Sequence, residues 1–479
     1  MPISRTLFDK IWDAHVVEKL DDGSELVYLD RVFLHERTGS VALNSLAETG
    51  RKLRNPAQVF ATMDHIIDTF PGRGDTTLVP GGEAFIKTMR RTAAEAGIRL
   101  FDIDDARHGI THLISAEQGI TLPGLIVACP DSHTCTLGAL GAVGWGIGTS
   151  DCEHAMATET LRTSKPGQLR VRFDGRLGNG VTAKDMILHL IAQHSASGAA
   201  GLALEYAGPA VEALDMEARF TLCNMAVEFG AFTGLIAPDA TTLAYVEGRR
   251  YAPRGATLEQ ARHAWRELRT DEDAVFDREL AIDCADIAPT MTWGTSPQDA
   301  VAVTGAVPTL DRYPDDETRA EFLSALNYMG LEPGQALLGL KLDAAFIGSC
   351  TNSRLSDLRA AAAILEGRKV APGVRAICTP GSQQVKRAAE AEGLDRVFLD
   401  AGFEWREPGC SLCFNAGGEG FGPGERVISS TNRNFRGRQG RGARTHLASP
   451  ASVAASAVAG YIADVRETGH RAVDATASH

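Results

Sequence analysis

Hydrophobic positions along the chain alternate between two spacings. Short apolar runs rich in Val, Ile and Leu precede or follow longer segments with apolar residues at helical spacing, for example the segment 83–96 and then the run 98–103. The alternation returns late in the chain, where the runs 342–347 and 374–378 lead into helix-like segments at 354–366 and 382–392. Strands and helices that alternate in this way predict an α/β fold with parallel sheets.

The chain is too long for a single hydrophobic core. At 479 residues it corresponds to about three domains of ordinary size. Two segments are typical of linkers, Lys165-Pro166-Gly167 and the polar, proline-containing stretch 304–316. We therefore expect three α/β domains, covering residues 1–166, 167–300 and 301–479.

Composition and charge narrow the classes of function. No apolar stretch approaches the roughly 18 residues that a membrane span needs, and charges in the first ten residues are unlike a secretory signal. We expect a cytoplasmic protein without a membrane partner. The net charge of −13 disfavours nucleic acid as a partner, so an anionic ligand needs a local group of Arg or Lys side chains.

Three of the nine cysteines have informative spacing. Cys350 lies in Gly348-Ser-Cys-Thr-Asn-Ser353 after an apolar run, and Cys410 and Cys413 lie in Pro408-Gly-Cys-Ser-Leu-Cys413, where Gly409 favours a tight turn. Because open α/β sheets place ligands at strand ends, we expect these three thiols to converge. A Cys-x-x-Cys pair alone indicates a redox pair or half of a zinc site. Three thiolates also suit a [4Fe–4S] cluster with one iron left open.

An arginine-rich segment follows these cysteines. Between residues 433 and 444 there are five arginines and no acidic residue. Guanidinium groups bind carboxylates bidentately, so the segment predicts a site for a small dicarboxylate. The stretch 436–442 also looks like an arginine–glycine RNA-binding segment, which leaves an iron-responsive RNA-binding protein as an alternative from another class. The acidic charge and the single aromatic residue there, Phe435, count against it.

Histidines paired with carboxylates are candidates for proton transfer. Asp64-His65, His112 and Asp131-Ser-His133 all adjoin apolar runs and look like strand-end positions. A single buried histidine is more often structural, so the pairing is what favours chemistry. Asn224 and Glu228 are four residues apart, a spacing that places both on one face of a helix.

These motifs, with Ser430-Thr-Asn-Arg-Asn-Phe-Arg-Gly-Arg438, resemble the aconitase superfamily, and the similarity extends over nearly the whole chain to Thr445-His-Leu447. The resemblance implies a hydro-lyase with a three-domain, aconitase-like α/β/α architecture that lacks the swivelling fourth domain. It also implies one [4Fe–4S] cluster per chain, held by Cys350, Cys410 and Cys413.

The resemblance further implies roles for ten other residues. It places Asp64, His65, His112, Asp131, His133 and Glu228 in catalysis, and Asn224, Asn432, Arg433 and Arg438 in substrate binding. His65 would help to protonate the leaving hydroxyl. Asp30-Arg31 resembles an early active-site loop of the family over a shorter match.

The chain resembles the split members of this family, in which a separate small subunit carries the swivelling domain and the carbon-proton base. Stretches such as Val181-Thr-Ala-Lys-Asp185 and Lys369-Val-Ala-Pro-Gly373 are similar to bacterial large subunits that isomerise 2-isopropylmalate to 3-isopropylmalate in leucine biosynthesis. Pro130, Cys135 and the loop from Phe414 depart from that group. Hydro-lyases acting on citraconate or 2-methylmalate, on dimethylmalate or on homoaconitate therefore stay alternatives.

Overall fold

The computed structural model describes residues 4–415 and 418–468. Its first part contains a parallel five-stranded sheet of order β5-β4-β3-β6-β7 and an antiparallel three-stranded sheet of order β1-β2-β8. The strands are β1 Val16–Lys19, β2 Glu25–Tyr28, β3 Arg31–His35, β4 Val59–Thr62, β5 Arg99–Phe101, β6 Ile126–Cys129, β7 Val143–Gly146 and β8 Thr160–Thr163. The helices are α1 Leu7–His15, α2 Gly39–Glu48, α3 Gly82–Ala96, α4 Thr111–Glu117 and α5 Thr149–Thr158.

The second part is built on a parallel four-stranded sheet of order β11-β10-β9-β12. Its strands are β9 Gly167–Asp174, β10 Leu202–Ala207, β11 Thr233–Leu235 and β12 Arg278–Asp283. Its helices are α6 Ala183–His194, α7 Pro209–Glu212, α8 Met216–Asn224, α9 Ala240–Val246 and α10 Ala256–Arg266.

The third part contains an antiparallel pair, β13-β14, and a parallel five-stranded sheet of order β17-β16-β15-β18-β19. Its strands are β13 Thr290–Thr292, β14 Ala300–Ala302, β15 Ala344–Ile347, β16 Arg375–Cys378, β17 Phe403–Trp405, β18 Arg426–Ser429 and β19 Arg444–Leu447. Its helices are α11 Asp316–Met329, α12 Leu355–Leu365, α13 Gln383–Ala391, α14 Leu394–Ala401 and α15 Pro450–Ala459.

Central strands of the parallel sheets are buried on both faces. Every residue of β4, β6 and β15 is buried, which matches their unbroken apolar runs and the helices that cover parallel sheets. The predicted α/β class is confirmed, and the helices predicted at 83–96, 354–366 and 382–392 lie within two residues of α3, α12 and α13. The domain boundaries stay predictions. The core beneath the third sheet already includes Met291 and Trp293, which precede residue 300.

Backbone contacts join the first and third parts of the chain at one place. Ile110 donates its N–H to the carbonyl of Gly381 at 2.8 Å, and Cys410 donates its N–H to the carbonyl of Asp64 at 2.9 Å. The segments that follow β4, β16 and β17 therefore lie beside the same interface. In the part of the chain that the structure describes, no helix is both long and apolar enough to cross a membrane.

Candidate active site

A cavity of about 300 Å³ lies where the ends of β4 and β6 face the loops after β15 and β18. Ten of the predicted site residues line it: Asp64, His65, His112, Asp131, His133, Cys350, Cys410, Cys413, Arg433 and Arg438. The other three, Asn224, Glu228 and Asn432, do not line the cavity but hydrogen-bond to residues that do. A larger cleft of about 930 Å³ beside the second sheet is lined by none of the predicted site residues.

The three thiols converge at this cavity, packed with Ile110 and Leu113. Cys350 follows β15, and the paired cysteines lie on a short 3-10 turn. In this turn Ser411 has a left-handed backbone, with φ +48°. Ser349, beside Cys350, also has a positive φ of +84°. Such non-glycine strain collects at functional sites, where it holds neighbouring side chains in place.

The surroundings of the thiols suit cysteine sulfurs that are bound to a metal centre. Asn224 and Asn432 direct side-chain N–H groups at the sulfur of Cys350, at 3.2 and 3.4 Å. Burial raises the pKa of Cys350 to about 12 and that of Cys410 well above its usual value. Thiolates at these positions therefore need a bound positive centre to stabilise them.

The spacing of the thiols argues against a single zinc ion. Ligand sulfurs on tetrahedral zinc lie about 2.3 Å from the metal and so roughly 4 Å from one another. Among the described residues, only His35, Glu36, Asp64 and His65 offer three or more ligand atoms within 4.8 Å of one another. Glu36 accepts the backbone N–H groups of Asp64 and His65, and Asp64 binds the His65 ring. His35 instead contacts the carbonyl of Pro130. The sulfurs of Cys350, Cys410 and Cys413 do not all lie within 4.8 Å of one another, which is wider than one tetrahedral zinc requires.

His65 lies between two carboxylates. Its Nδ1 atom is 2.5 Å from an oxygen of Asp64, and its Nε2 atom is 3.2 Å from an oxygen of Asp131. Burial alone would lower the pKa of His65, but Asp64, Cys410 and Asp131 outweigh burial and raise this pKa well above its usual value. Thr111 donates both its N–H and its hydroxyl to Asp64, which fixes that carboxylate. The two carboxylates thus favour the protonated form of an imidazole that lines the cavity.

Asp131 is the centre of a second set of contacts. Its Oδ1 atom lies 3.0 Å from Nε2 of His112 and accepts the backbone N–H of His133 at 2.7 Å. Burial opposes ionisation, but the hydrogen bonds from His112, His133 and His65 hold the pKa of Asp131 well below its usual range. Asp131 thus stays a carboxylate that orients three imidazoles.

The prediction for His112 was wrong in one respect. Asp64-His65 and Asp131-His133 do follow strands β4 and β6, but His112 is the second residue of helix α4. Ile110 is extended, and the chain turns into the helix where Thr111 binds Asp64. The apolar run here is the buried face of a helix.

Glu228 links His133 to the arginine-rich segment. Its Oε1 atom is 3.0 Å from Nε2 of His133 and accepts the Nε–H of Arg433 at 2.7 Å. Burial opposes ionisation of Glu228, but His133 and Arg433 lower its pKa. The expected shared helical face with Asn224 was wrong, because α8 ends at Asn224 and Glu228 lies on the 3-10 turn Val227–Phe229.

Some side chains of the arginine-rich segment line the cavity, and others contact helix α11. Arg433 and Arg438 line the cavity, and the buried Nε of Arg438 has no hydrogen-bond partner among the described residues. Arg436 instead binds Ser324, and Arg444 donates to the carbonyl of Tyr328, both on α11. Two guanidinium groups are thus available to an anion in the cavity.

Sequence reasoning missed several residues of the site. His35 stacks on His65 with ring centroids 3.8 Å apart, and burial together with the charge of His65 lowers its pKa to about 4. Glu36 accepts the backbone N–H groups of Asp64, His65 and Ile66. The strand-end rule finds both, since His35 is the last residue of β3 and Glu36 follows it. Asp30-Arg31, by contrast, lies at the opposite end of β3, where Asp30 binds His15 at 2.8 Å.

Phe414 is a further lining residue. The guanidinium carbons of Arg37 and Arg438 lie 5.3 and 4.9 Å from its ring centroid, and the His65 ring meets it edge-on at 5.5 Å. Phe414 therefore covers the imidazole that faces the cavity.

Comparison with known proteins gives three results. Residues 9–460 match the Aconitase family (aconitate hydratase). The chain is 54% identical over 462 residues to 3-isopropylmalate dehydratase large subunit 1 of Bradyrhizobium diazoefficiens, a match covering 96% of each chain. The crystal structure of Thermococcus kodakaraensis aconitase X in its holo-form is 14% identical with a TM-score of 0.45, over 85% of this chain and 84% of that one.

Proposed function

The chain belongs to the aconitase family, and from that premise we propose that it is the large subunit of a 3-isopropylmalate dehydratase. This enzyme class is a hydro-lyase that removes water from 2-isopropylmalate and adds it back in the opposite sense to give 3-isopropylmalate. The observation that carries the proposal is the convergence of three buried thiols with His65, Asp131 and two arginines on one cavity, in a chain 54% identical to such a large subunit.

We propose that Cys350, Cys410 and Cys413 hold one [4Fe–4S] cluster. When bound, such a cluster supplies an iron with an open coordination position that acts as a Lewis acid toward a hydroxyl group. The amide N–H groups of Asn224 and Asn432 support this assignment, because they point at the sulfur of Cys350. Hydrogen bonds of this kind stabilise negative charge on ligand sulfur.

His65 is suited to give a proton to the departing hydroxyl. Asp64 at Nδ1 and Asp131 at Nε2 favour a protonated ring, and the hydroxyl would take the Nε2 proton in place of Asp131. Asp131 and His112 orient it from one side, and His35 excludes water from the face on which it stacks. A positioned general acid of this kind contributes typically ~10²–10⁴-fold to a rate.

Arg438 and Arg433 are suited to bind the substrate carboxylates. The Nε of Arg438, which has no partner among the described residues, is a buried donor that a carboxylate would satisfy, and burying it without an acceptor costs stability. Arg433 is held by Glu228 through its Nε, which leaves its other N–H groups for a ligand. Together they provide two anchors for a dicarboxylate.

We propose a small subunit as partner, because the residues assigned above include no base for the carbon-bound proton. The Bradyrhizobium relative is a large subunit by name, which supports a two-chain enzyme. The expected cytoplasmic location, and the absence of nucleic-acid and membrane partners, stay predictions.

The test is a substrate panel on the reconstituted two-chain enzyme. The chain, purified without oxygen and mixed with its small subunit, is assayed on 3-isopropylmalate, 2-methylmalate, dimethylmalate and homoisocitrate, the hydroxy acid whose dehydration gives homoaconitate. We expect formation of the unsaturated intermediate to be fastest from 3-isopropylmalate. Faster dehydration of any other member would reassign the substrate within the same mechanism, and no dehydration of any member would refute the proposal.

A further inference from the structure

Lys184 has an unusual position in the fold. It is the second residue of helix α6, within the motif Val181–Asp185, and its side chain is buried with 1% exposure. A cation in the first turn of a helix faces the positive end of the helix dipole, and burial removes its hydration. Burial and the helix dipole therefore both destabilise the charged ammonium group of Lys184.

The ammonium is satisfied by carbonyl oxygens instead of a carboxylate. Nζ of Lys184 donates to the carbonyl of Ser430 at 3.0 Å and to that of Thr431 at 2.5 Å. Within the described residues, no acidic group lies at ion-pair distance from it, although Glu228, Asp357 and Asp185 act on it from farther away. Burial lowers the pKa of Lys184 to about 8. Its two carbonyl acceptors are the partners that an ammonium group requires.

The two carbonyls belong to the loop that carries part of the site. Asn432, the next residue, donates to the sulfur of Cys350, and Arg433 donates to Glu228. Lys184 comes from the second part of the chain, 246 and 247 residues away from its two acceptors. Its hydrogen bonds therefore hold the loop after β18, which carries Asn432 and Arg433, against helix α6 from the second part of the chain.

We propose that Lys184 is a positioning residue that clamps the 430–431 carbonyls and so sets Asn432 and Arg433 against the thiols and the substrate carboxylates. The inference deepens the proposed function, since it assigns a support for its anion-binding side chains. A residue chosen for stability alone would be apolar at this depth, because replacing buried charges by apolar groups is commonly neutral or stabilising.

The structure also offers a way to test the clamp by adding the lost group back. Lys184 lines a second cavity of about 300 Å³ with Asp215, Asn352 and Asp357. Lys184→Ala removes a three-carbon ammonium fragment next to this space, so n-propylammonium has room to enter. 1-Propanol has the same length without the charge and serves as the neutral control.

The experiment uses the reconstituted two-chain enzyme and two measurements. In Lys184→Ala we expect faster amide hydrogen exchange confined to residues 429–434, and a KM for 3-isopropylmalate raised about tenfold, as loss of a charge-assisted contact implies. We expect kcat and iron content to change little. n-Propylammonium should reverse both effects, and 1-propanol should reverse neither.

Two further variants keep the result interpretable. Met186→Ala truncates a fully buried side chain of the same helix and should lower stability without selective exchange at 429–434 or rescue by the amine. Lys184→Met keeps the apolar volume and should loosen the loop even if Lys184→Ala does not fold. Wild-type exchange and KM in a folded Lys184→Met would overturn the inference. Loosening of the loop in an enzyme inactive on the whole panel would refute the proposed function and leave the clamp standing.

Discussion

The Nε2 atom of His65 lies 3.2 Å from the Oδ2 atom of Asp131. The two residues are 66 positions apart in the sequence and follow different strands, β4 and β6. The same carboxylate binds His112 and His133 through its other oxygen. One carboxylate thus orients three imidazoles.

Asp131→Asn should therefore cost activity well beyond the loss of one hydrogen bond. An amide cannot stabilise the imidazolium of His65, so we expect kcat to fall by roughly 10²–10⁴-fold, the range of general acid catalysis. Absorbance from thiolate-to-iron charge transfer should remain. Asp105→Asn, which alters an arginine-paired carboxylate away from the cavity, is the control and should keep wild-type kcat.

Arg438→Lys should weaken substrate binding while retaining the charge. A lysine cannot reproduce the planar fork, so we expect a loss of roughly 1–3 kcal/mol per charge-assisted contact, seen as a raised KM. Arg436→Lys is a matched control in the same loop, because Arg436 faces Ser324 and Tyr328 instead of the cavity. Equal KM values for the two variants would remove Arg438 from the substrate site.

Glu205, which lies outside the active site, should make the stability of the fold depend on pH. This carboxyl on β10 is buried, and burial raises its pKa from 4.5 to about 7 despite the hydrogen bond from Thr270. Between these pH values the folded chain keeps a proton that the unfolded chain releases, so the Glu205 contribution to stability is lost as pH rises.

Glu205→Gln should remove this dependence. Denaturant unfolding of wild type and variant should diverge in favour of the variant as pH rises from 5 to 8, by an amount on the order of 2–3 kcal/mol. A difference in the free energy of unfolding that stays constant over this range would contradict the assignment.

The chain alone should not turn over substrate. It is assigned the general acid and two carboxylate anchors but no carbon-proton base, and a missing base costs ~10²–10⁴-fold even before misplacement of substrate. The unsaturated intermediate should form only after the small subunit is added. Robust dehydration by the isolated large chain would show that its base lies within these 479 residues.

Residues near strand ends were accessible from sequence, and those set by long-range contacts were not. The runs before Asp64 and Asp131 are buried strands, so a local pattern located both pairs. Glu228 was placed on the wrong element, because its position depends on His133 and Arg433, which are 95 and 205 residues away. Periodicity carries no information at that separation.

The burial of Lys184 and its hydrogen-bond partners could not be predicted either. Lysine is among the residues least often buried, so a lysine in the first turn of a helix is expected at the surface. Only the fold shows that its acceptors are carbonyls from another sheet. The division of the arginine-rich segment between cavity and α11 depends in the same way on where the loop runs.

Metal and sulfide analysis tests the central claim most directly. Protein purified without oxygen, and its Cys350→Ser, Cys410→Ser and Cys413→Ser variants, are assayed for iron, acid-labile sulfide and zinc. We expect iron and sulfide in equal amounts, close to four of each per wild-type chain, as a [4Fe–4S] cluster requires. Each variant should lose most of both. One zinc per chain without sulfide, or iron unchanged in all three variants, would contradict the account.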